Sequence, residues 1–292
     1  MQPSEKWIKW ILFVVSCSSI FLLGGIFFFL LSTGVKAFSE ISVSQFFTGI
    51  LWNPEAYVGP QWGILSLLLG TVMVALGSLF FAVPLGLASA IYLAELAPPR
   101  WREILKPMIE MIAGIPSVVL GLIGLLFVSP LVAAVFGTSS GLSALTSSLI
   151  VGIMIIPTII SISEDVLSGL PKDFREASYA LGATRWQTIT KILLPAATSG
   201  MVAAVMLALG RAVGETMAVL MVAGNSIALP HSFLDPVRPI TATIAIEIKE
   251  VVQGSLHYQA LFAIGLILFM LTFAVNFISD LILERYARKY QW

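Results

Sequence analysis

The sequence predicts an all-helical integral membrane protein with six transmembrane helices, and three observations carry that reading. Of its 292 residues, 58% are apolar and only 11% are charged, whereas soluble domains carry roughly 25% Asp, Glu, Lys and Arg. The mean hydropathy is +0.97, so the chain lacks the charge to cover an ordinary wet surface and its solvent is lipid. Residues 10–35, 56–94, 111–163, 192–210 and 251–279 are free of Asp, Glu, Lys and Arg, and each run is long enough to hold a span. The 16 basic and 16 acidic residues cancel, which argues against a whole-protein electrostatic footprint for nucleic acid. The single cysteine, Cys17, excludes an intramolecular disulfide, and its place in an apolar run reads as structural.

A hydrocarbon core of about 30 Å needs roughly 20 helical residues. The first run supplies a helix over 10–32. Its apolar stretch exceeds a secretory signal core and no small-x-small cleavage site follows, so it reads as an uncleaved span. The second run opens as a loop and becomes helix over 63–94. The third is too long for one span, and the turn-rich Gly137-Thr138-Ser139-Ser140-Gly141 divides it into helices over 107–136 and 142–163. A fifth helix is expected over 196–223 and a sixth over 259–283. Six spans put both termini on one side. Twelve of the 16 Lys and Arg share that side, Lys36, Arg238 and Lys249 fall opposite, and Arg211 lies within a span. The positive-inside rule then makes residues 1–9 and the 164–194 loop cytoplasmic. The outer segments are 34–62 and 225–258, and the apolar stretch 240–246 reads as re-entrant or interfacial. No internal repeat is visible, so 10–292 reads as one membrane domain.

The longest inner loop, 164–194, reads as two short helices meeting at Gly182. Pro171 is placed to start the first, Gly182 to end it through a positive φ, and Ala183-Thr184-Arg185 to begin the second. Ala177, Ser178 and Ala180 then form a small-residue face open to another protein; a solvated hairpin on the membrane surface is the alternative the residues allow. Glu176-Ala177-Ser178, three residues to Gly182, nine more to Ile192, then Leu194-Pro195 resembles the EAA loop of ATP-binding-cassette importer permeases, EAA-x3-G-x9-I-x-LP. Ser178 stands where that pattern has its third-position alanine. The resemblance implies a type I importer (MetI-like) permease fold. It also implies that Glu176, Ala177, Ser178, Gly182 and Ala183 dock on a cytosolic ATPase and carry its closing motion to the membrane helices. The chain itself should not hydrolyse ATP. A P-loop needs G-x4-G-K-[ST], and the segment from Gly210 to Thr216 has the wrong glycine spacing and Glu215 where a lysine must meet phosphate. No cofactor is expected in this chain; ATP and Mg belong to separate ATPase subunits.

Arg211 and Glu215 lie well inside the expected fifth helix, where each buried charge costs about 2.5–3.5 kcal/mol. At i and i+4 they share a face and can pair, while Gly210 and Gly214 admit a neighbouring helix. Two readings stand. The pair locks helices together, or Arg211 faces a pathway and offers its planar guanidinium to an oxyanion, with Glu215 orienting it and Thr216 beside it. Composition and spacing reach only as far as an anion. Ala208-Leu209-Gly210-Arg211-Ala212-Val213-Gly214-Glu215-Thr216-Met217-Ala218-Val219 is similar to the signature of PstC-type permease subunits of phosphate importers. Tyr92-Leu93-Ala94-Glu95, Leu105-Lys106-Pro107, Arg238-Pro239-Ile240-Thr241-Ala242 and His257 extend the similarity from about residue 63 onward. This resemblance implies phosphate as substrate, a PstA-like permease as half-partner, two PstB-like cytosolic ATPases and a PstS-like extracytoplasmic phosphate-binding protein. It also implies a bacterial or archaeal cytoplasmic membrane. A PstA-type or other oxyanion permease is the alternative, although PstA is less similar around Met217-Ala218-Val219.

Weaker signals complete the reading. Pro84, Pro116 and Pro157 interrupt apolar helices and should kink them. Gly114, Pro116 and Ser117 are the best placed of these to line a pathway, because broken backbone at membrane depth must be covered by protein or water. Lys106 with Glu110, and Glu284 with Arg288, are spaced for interfacial ion pairs. Trp7, Trp10, Trp62 and Trp292 suit interfacial belts. His231 and His257 lack metal-ligand spacing, so no metal is expected. A stand-alone secondary anion carrier is the rival from another class, but the inverted repeats of that design do not show. An intramembrane hydrolase would need H-E-x-x-H, a Ser-His pairing within spans or paired aspartates, and the sequence has none of them.

Overall fold

The computed structural model describes residues 3–289 except Val58, with side chains described over 7–281. Helix α1 (Pro3–Gly34) continues into a 3-10 turn, Val35–Ser39, and is followed by the short α2 (Val43–Thr48) and the antiparallel hairpin of β1 (Trp52–Asn53) and β2 (Gln61–Trp62). Helix α3 (Leu65–Ile91) ends in a π turn, Tyr92–Leu96. The amphipathic α4 (Pro99–Ala113) then leads to a third span built from α5 (Ser117–Ile123), a π turn and α6 (Ser129–Phe136). Helix α7 (Ala144–Ser168) is the fourth span. The loop helices α8 (Lys172–Ala180) and α9 (Arg185–Thr188) come next; α9 runs through a π turn into α10 (Leu194–Gly214). Helices α11 (Met217–Val222), α12 (Ile240–Glu247) and α13 (Leu256–Lys289) finish the chain.

Among the described residues, six segments are long and apolar enough to cross a membrane: Trp7–Ser39, Leu65–Leu96, Ser117–Phe136, Ala144–Ser168, Arg185–Gly214 and Leu256–Leu281. The chain is a multi-pass membrane protein. Two span limits differ from the sequence expectation. The third span starts at Ser117 rather than residue 107, because α4 carries charges along one side and stops at Gly114. The fifth does not run unbroken over 196–223. It begins earlier, at Arg185, and its helix ends at Gly214 before α11 resumes. The second loop helix is therefore the start of span five instead of a separate short helix.

Proline chemistry explains two irregular turns. Pro130 and Pro195 lack the N–H that closes an α-helical ring, and their rings crowd the carbonyl four residues back. In each case a π turn directly precedes the helix that holds the proline, Gly124–Val128 and Ile189–Leu193, and widens the backbone there. Pro84 and Pro157 are carried inside α3 and α7.

The centre of the molecule is the seam between α3 and α7, where Val74, Ala75 and Ala82 pack on Val151, Ile155 and Ile159. Lipid tails are as apolar as these side chains, so close packing must hold the seam. Gly86 permits it: a Cβ there would meet Ile159 Cγ2 at 2.8 Å. Against this core α10 and α13 pack, while α1 leaves most of its apolar surface uncovered, including Cys17.

A second core closes the hairpin end. Phe46, Trp52, Trp62, Ile64 and Leu67 pack on Ile240, Leu261 and Ile264. Trp62 is thus a core residue, 7% exposed, and not a member of an interfacial belt. The hairpin turns its ring inward, 5.8 Å from that of Trp52. Trp7 and Trp10 are exposed. Trp292 and the Glu284–Arg288 pairing lie outside the described residues and side chains.

Candidate functional site

Span five breaks where its charges sit. Helix α10 ends at Gly214, Glu215 turns to an extended conformation with ψ of 129°, and α11 begins at Met217. A broken helix in a membrane leaves main-chain groups to be satisfied by side chains. Ala218 N donates to Glu215 Oε1 at 3.1 Å, Thr216 Oγ1 donates to Gly214 O at 3.2 Å, and Thr241 Oγ1, from α12, donates to Glu215 O at 2.9 Å. The expected Arg211–Glu215 pair does not form, because the break removes the i,i+4 geometry and commits the carboxylate to capping α11. Arg211 is exposed, and its Nη1 donates to Thr158 Oγ1 at 3.2 Å. Thr158 lies near the middle of the 25-residue α7, which sets the guanidinium at mid-span depth. Among the described residues Arg211 joins no ion pair. The arrangement offers an open, uncompensated planar cation beside a ruptured helix, which is what an oxyanion needs.

Gly114, Pro116 and Ser117 do break the backbone, with Pro116 preceding the first residue of α5. The break falls at the start of the third span, not at mid-depth, since Ser117 opens that span. Helix α5 packs on α11 through Leu120 and Ala218.

The loop after α7 folds as its residues demand. Pro171 precedes α8, and Gly182 adopts a φ of +80°, so that Gly182 N reaches Tyr179 O at 2.9 Å and Ala183 N reaches Ser178 O at 3.1 Å. Thr184 then caps α9 in a reciprocal capping box with Gln187. Glu176, Ala177 and Ala180 are exposed, as are Leu181 at 88% and Trp186 at 66%, while Ala183 is half-buried. Ser178 is turned inward instead of joining the small-residue face. Its hydroxyl shares a 2.8 Å hydrogen bond with Thr188, which ties α8 to α9.

Charged residues bolt this loop to the spans. Arg175 Nη2 and Glu95 Oε1, at the end of the second span, are 2.5 Å apart, and Arg175 also donates to the carbonyls of Leu167 and Leu170. Arg185 donates to the Glu95 carbonyl. Glu164, buried near the end of α7, is held by Arg102 and by Lys106 at 2.5 Å. Lys106 also meets Asp165 at 2.6 Å, so the expected Lys106–Glu110 pair gives way to one between helices. Hydrogen bonds to Asp165 and then Glu164 raise the Lys106 ammonium above its ordinary value, 10.5, so its contribution is lost only as pH rises past that point.

With this geometry in view, comparisons with known proteins decide the family. Residues 82–291 match the model of the binding-protein-dependent transport system inner membrane component. The chain belongs to that family of transport permeases. Relatives of this permease include a probable ABC transporter permease, YqgH of Bacillus subtilis, 40% identical over 89% of this chain and 85% of the relative. The phosphate transport system permease protein PstC of Mesorhizobium japonicum is 38% identical over 90% of this chain and 85% of the relative. Among solved structures, a bacterial ABC transporter importing the polysaccharide alginate aligns with a TM-score of 0.64 at 16% identity, over 97% of this chain and 99% of that one. The MetNI methionine ABC transporter in inward-facing conformations aligns with a TM-score of 0.60 at 21% identity, over 76% of this chain and 97% of that one. The permease therefore has the ABC importer permease fold.

At the hairpin end the permease holds a polar cluster that the sequence reading did not single out. Glu247, at the last turn of α12, is buried and accepts from Trp52 Nε1 at 2.9 Å, Arg238 Nη1 at 3.0 Å and His257 Nε2 at 2.8 Å. Arg238, Glu247 and His257 lie within 20 positions of one another, whereas Trp52 is 195 positions from Glu247. Arg238 and His257 stand in the sequence only as part of the resemblance, and the further signal was an acidic residue closing the apolar stretch 240–246.

Proposed function

We propose that this chain is the PstC-type permease subunit of an ATP-driven importer that carries inorganic phosphate across the cytoplasmic membrane. The observation that carries the phosphate pathway is Arg211, open at mid-span depth beside the helix break at Glu215, in a chain similar to PstC permeases. A phosphate oxygen pair matches the guanidinium fork. The Thr158 hydroxyl, which accepts from Arg211, keeps its own hydrogen as a neutral donor, so the anion is held without a second fixed cation that would oppose its release.

A PstA-like permease completes the pathway, two PstB-like cytosolic ATPases dock on the exposed surface of α8 and α9, and a PstS-like phosphate-binding protein delivers ligand to the hairpin end. ATP and Mg reside in the ATPases. As those subunits close, their grooves pull Glu176, Ala177 and the Gly182 turn. Arg175 and Arg185 pass the movement to Glu95 at the end of span two, and the spans switch from inward-facing to outward-facing. Hydrolysis resets them. The expected result is uptake of radiolabelled phosphate by proteoliposomes of the whole complex only with ATP on the ATPase side. Uptake driven by a proton gradient without ATP would overturn the assignment.

Both chain termini and the α8–α9 loop face the cytosol in this reading, supported by the twelve-to-three distribution of basic residues. With Cys17 replaced, a cysteine at Ser232 should react with an impermeant maleimide added outside right-side-out vesicles, and one at Thr184 should not. The reverse labelling pattern refutes the orientation.

A further inference from the structure

We infer that α12 is a rigid strut that positions the break in span five from the hairpin end, with Thr241 and Glu247 as its two fastenings. The inference rests on the pathway reading of Arg211 and Glu215. Near one end of α12, Thr241 is 6% exposed and its hydroxyl donates to the Glu215 carbonyl at 2.9 Å, at the residue where α10 departs from helix. Next to it Ile240 N donates to Thr71 Oγ1 at 3.0 Å, which fixes the start of the strut to α3. At the other end, Glu247 is gripped by three donors from three separate elements. Trp52 comes from the hairpin, Arg238 from the segment before α12 and His257 from the start of α13.

Eight helical residues span roughly 12 Å, too short and too well packed to bend. Ile240, Thr241, Ala242 and Thr243 of its first turn are buried, as is Glu247 at its end, and Ile244, Ala245 and Ile246 between them are half-buried. A displacement of the hairpin or of the start of α13 moves Glu247, and α12 must carry that displacement to the Glu215 carbonyl. The other hydrogen bonds given for the break, Ala218 N to Glu215 Oε1 and Thr216 Oγ1 to Gly214 O, stay within span five, so Thr241 is the link from the break to another element, and Gly214 leaves open space beside it. Contact between a soluble partner and the hairpin end thereby reaches the residues around Arg211 with no direct contact to them. Thr241 acts through Glu215 and is a positioning residue.

The test is a double-mutant cycle on phosphate uptake by the whole reconstituted complex, normalised to complex present in the membrane. Thr241→Val keeps the shape and removes the hydroxyl, and should lower uptake about tenfold, the worth of one buried hydrogen bond. Thr241→Ser should restore it. Glu247→Gln should also lower uptake about tenfold, and the double variant should be no worse than the lower single, because both cut one strut. Should Glu247→Gln fail to assemble, His257→Gln removes one of its three contacts and takes its place in the cycle. Wild-type uptake by Thr241→Val, no rescue by Thr241→Ser, or losses that multiply to about a hundredfold would overturn the strut. Arg211→Gln in the same series separates the two readings. Its failure to transport beside a multiplicative cycle overturns the strut alone, whereas normal transport beside a coupled cycle overturns the pathway and leaves the strut.

Discussion

Arg211→Gln is expected to abolish phosphate uptake while the complex assembles at the wild-type level. The guanidinium is exposed, makes one hydrogen bond, to Thr158, and pairs with no carboxylate among the described residues. Removing it therefore strands no buried partner charge, which is the usual reason such changes unfold a protein. What is lost is the fixed cation opposite the anion. Truncating one side of a desolvated charge pair costs about 2–5 kcal/mol, or roughly thirtyfold to several thousandfold in rate. Arg211→Lys should retain little, since it keeps the charge but not the two-pronged geometry. Glu215→Gln should be milder than either, because an amide oxygen can still accept from Ala218 N and cap α11. Neutralising both should not restore uptake. Transport at the wild-type rate by Arg211→Gln, measured beside quantified complex, would leave Arg211 without a role in the pathway.

Gly182→Val should uncouple the ATPases from transport in a complex that still inserts and assembles. A Cβ at residue 182 would touch nothing within 4 Å, so the substitution acts through the backbone alone. The φ of +80° is open to glycine but costs an L-residue about 1–2 kcal/mol, and more with a β-branched side chain. Relief requires the turn to open, which breaks the Gly182–Tyr179 and Ala183–Ser178 main-chain hydrogen bonds and swings α8 away from α9. Uptake should fall tenfold or more. Gly182→Asn supplies the control, because asparagine tolerates positive φ and should keep most of the activity. Normal uptake by Gly182→Val, with unchanged stimulation of ATPase activity by the binding protein, would remove the coupling role from this turn.

Both predictions concern residues that are legible in the sequence. The Gly182 turn follows from local rules: a proline before one helix, a glycine after it and a threonine cap on the next. Arg211 was conspicuous because a charge in an apolar span needs a reason. Its partner was misread. Sequence spacing assumes a continuous helix, and the helix stops at Gly214, where capping of α11 competes for the Glu215 carboxylate. The same limit applied to Lys106, whose neighbour at i+4 loses to Glu164 and Asp165 on another helix.

What the sequence determined by itself is what depends on one segment and its solvent. Apolar run length set the number of spans, turn chemistry set the shape of the loop between spans four and five, and the placement of basic residues set the expected orientation. Tertiary structure alone decided where span five breaks, which carboxylate each cation finds, and that Trp52, Arg238 and His257 converge on Glu247 from residues up to 205 positions apart. The reason is physical. A buried polar group must be satisfied by whatever donor the packing of other helices brings within about 3 Å, and no local rule in the chain specifies which donor that is.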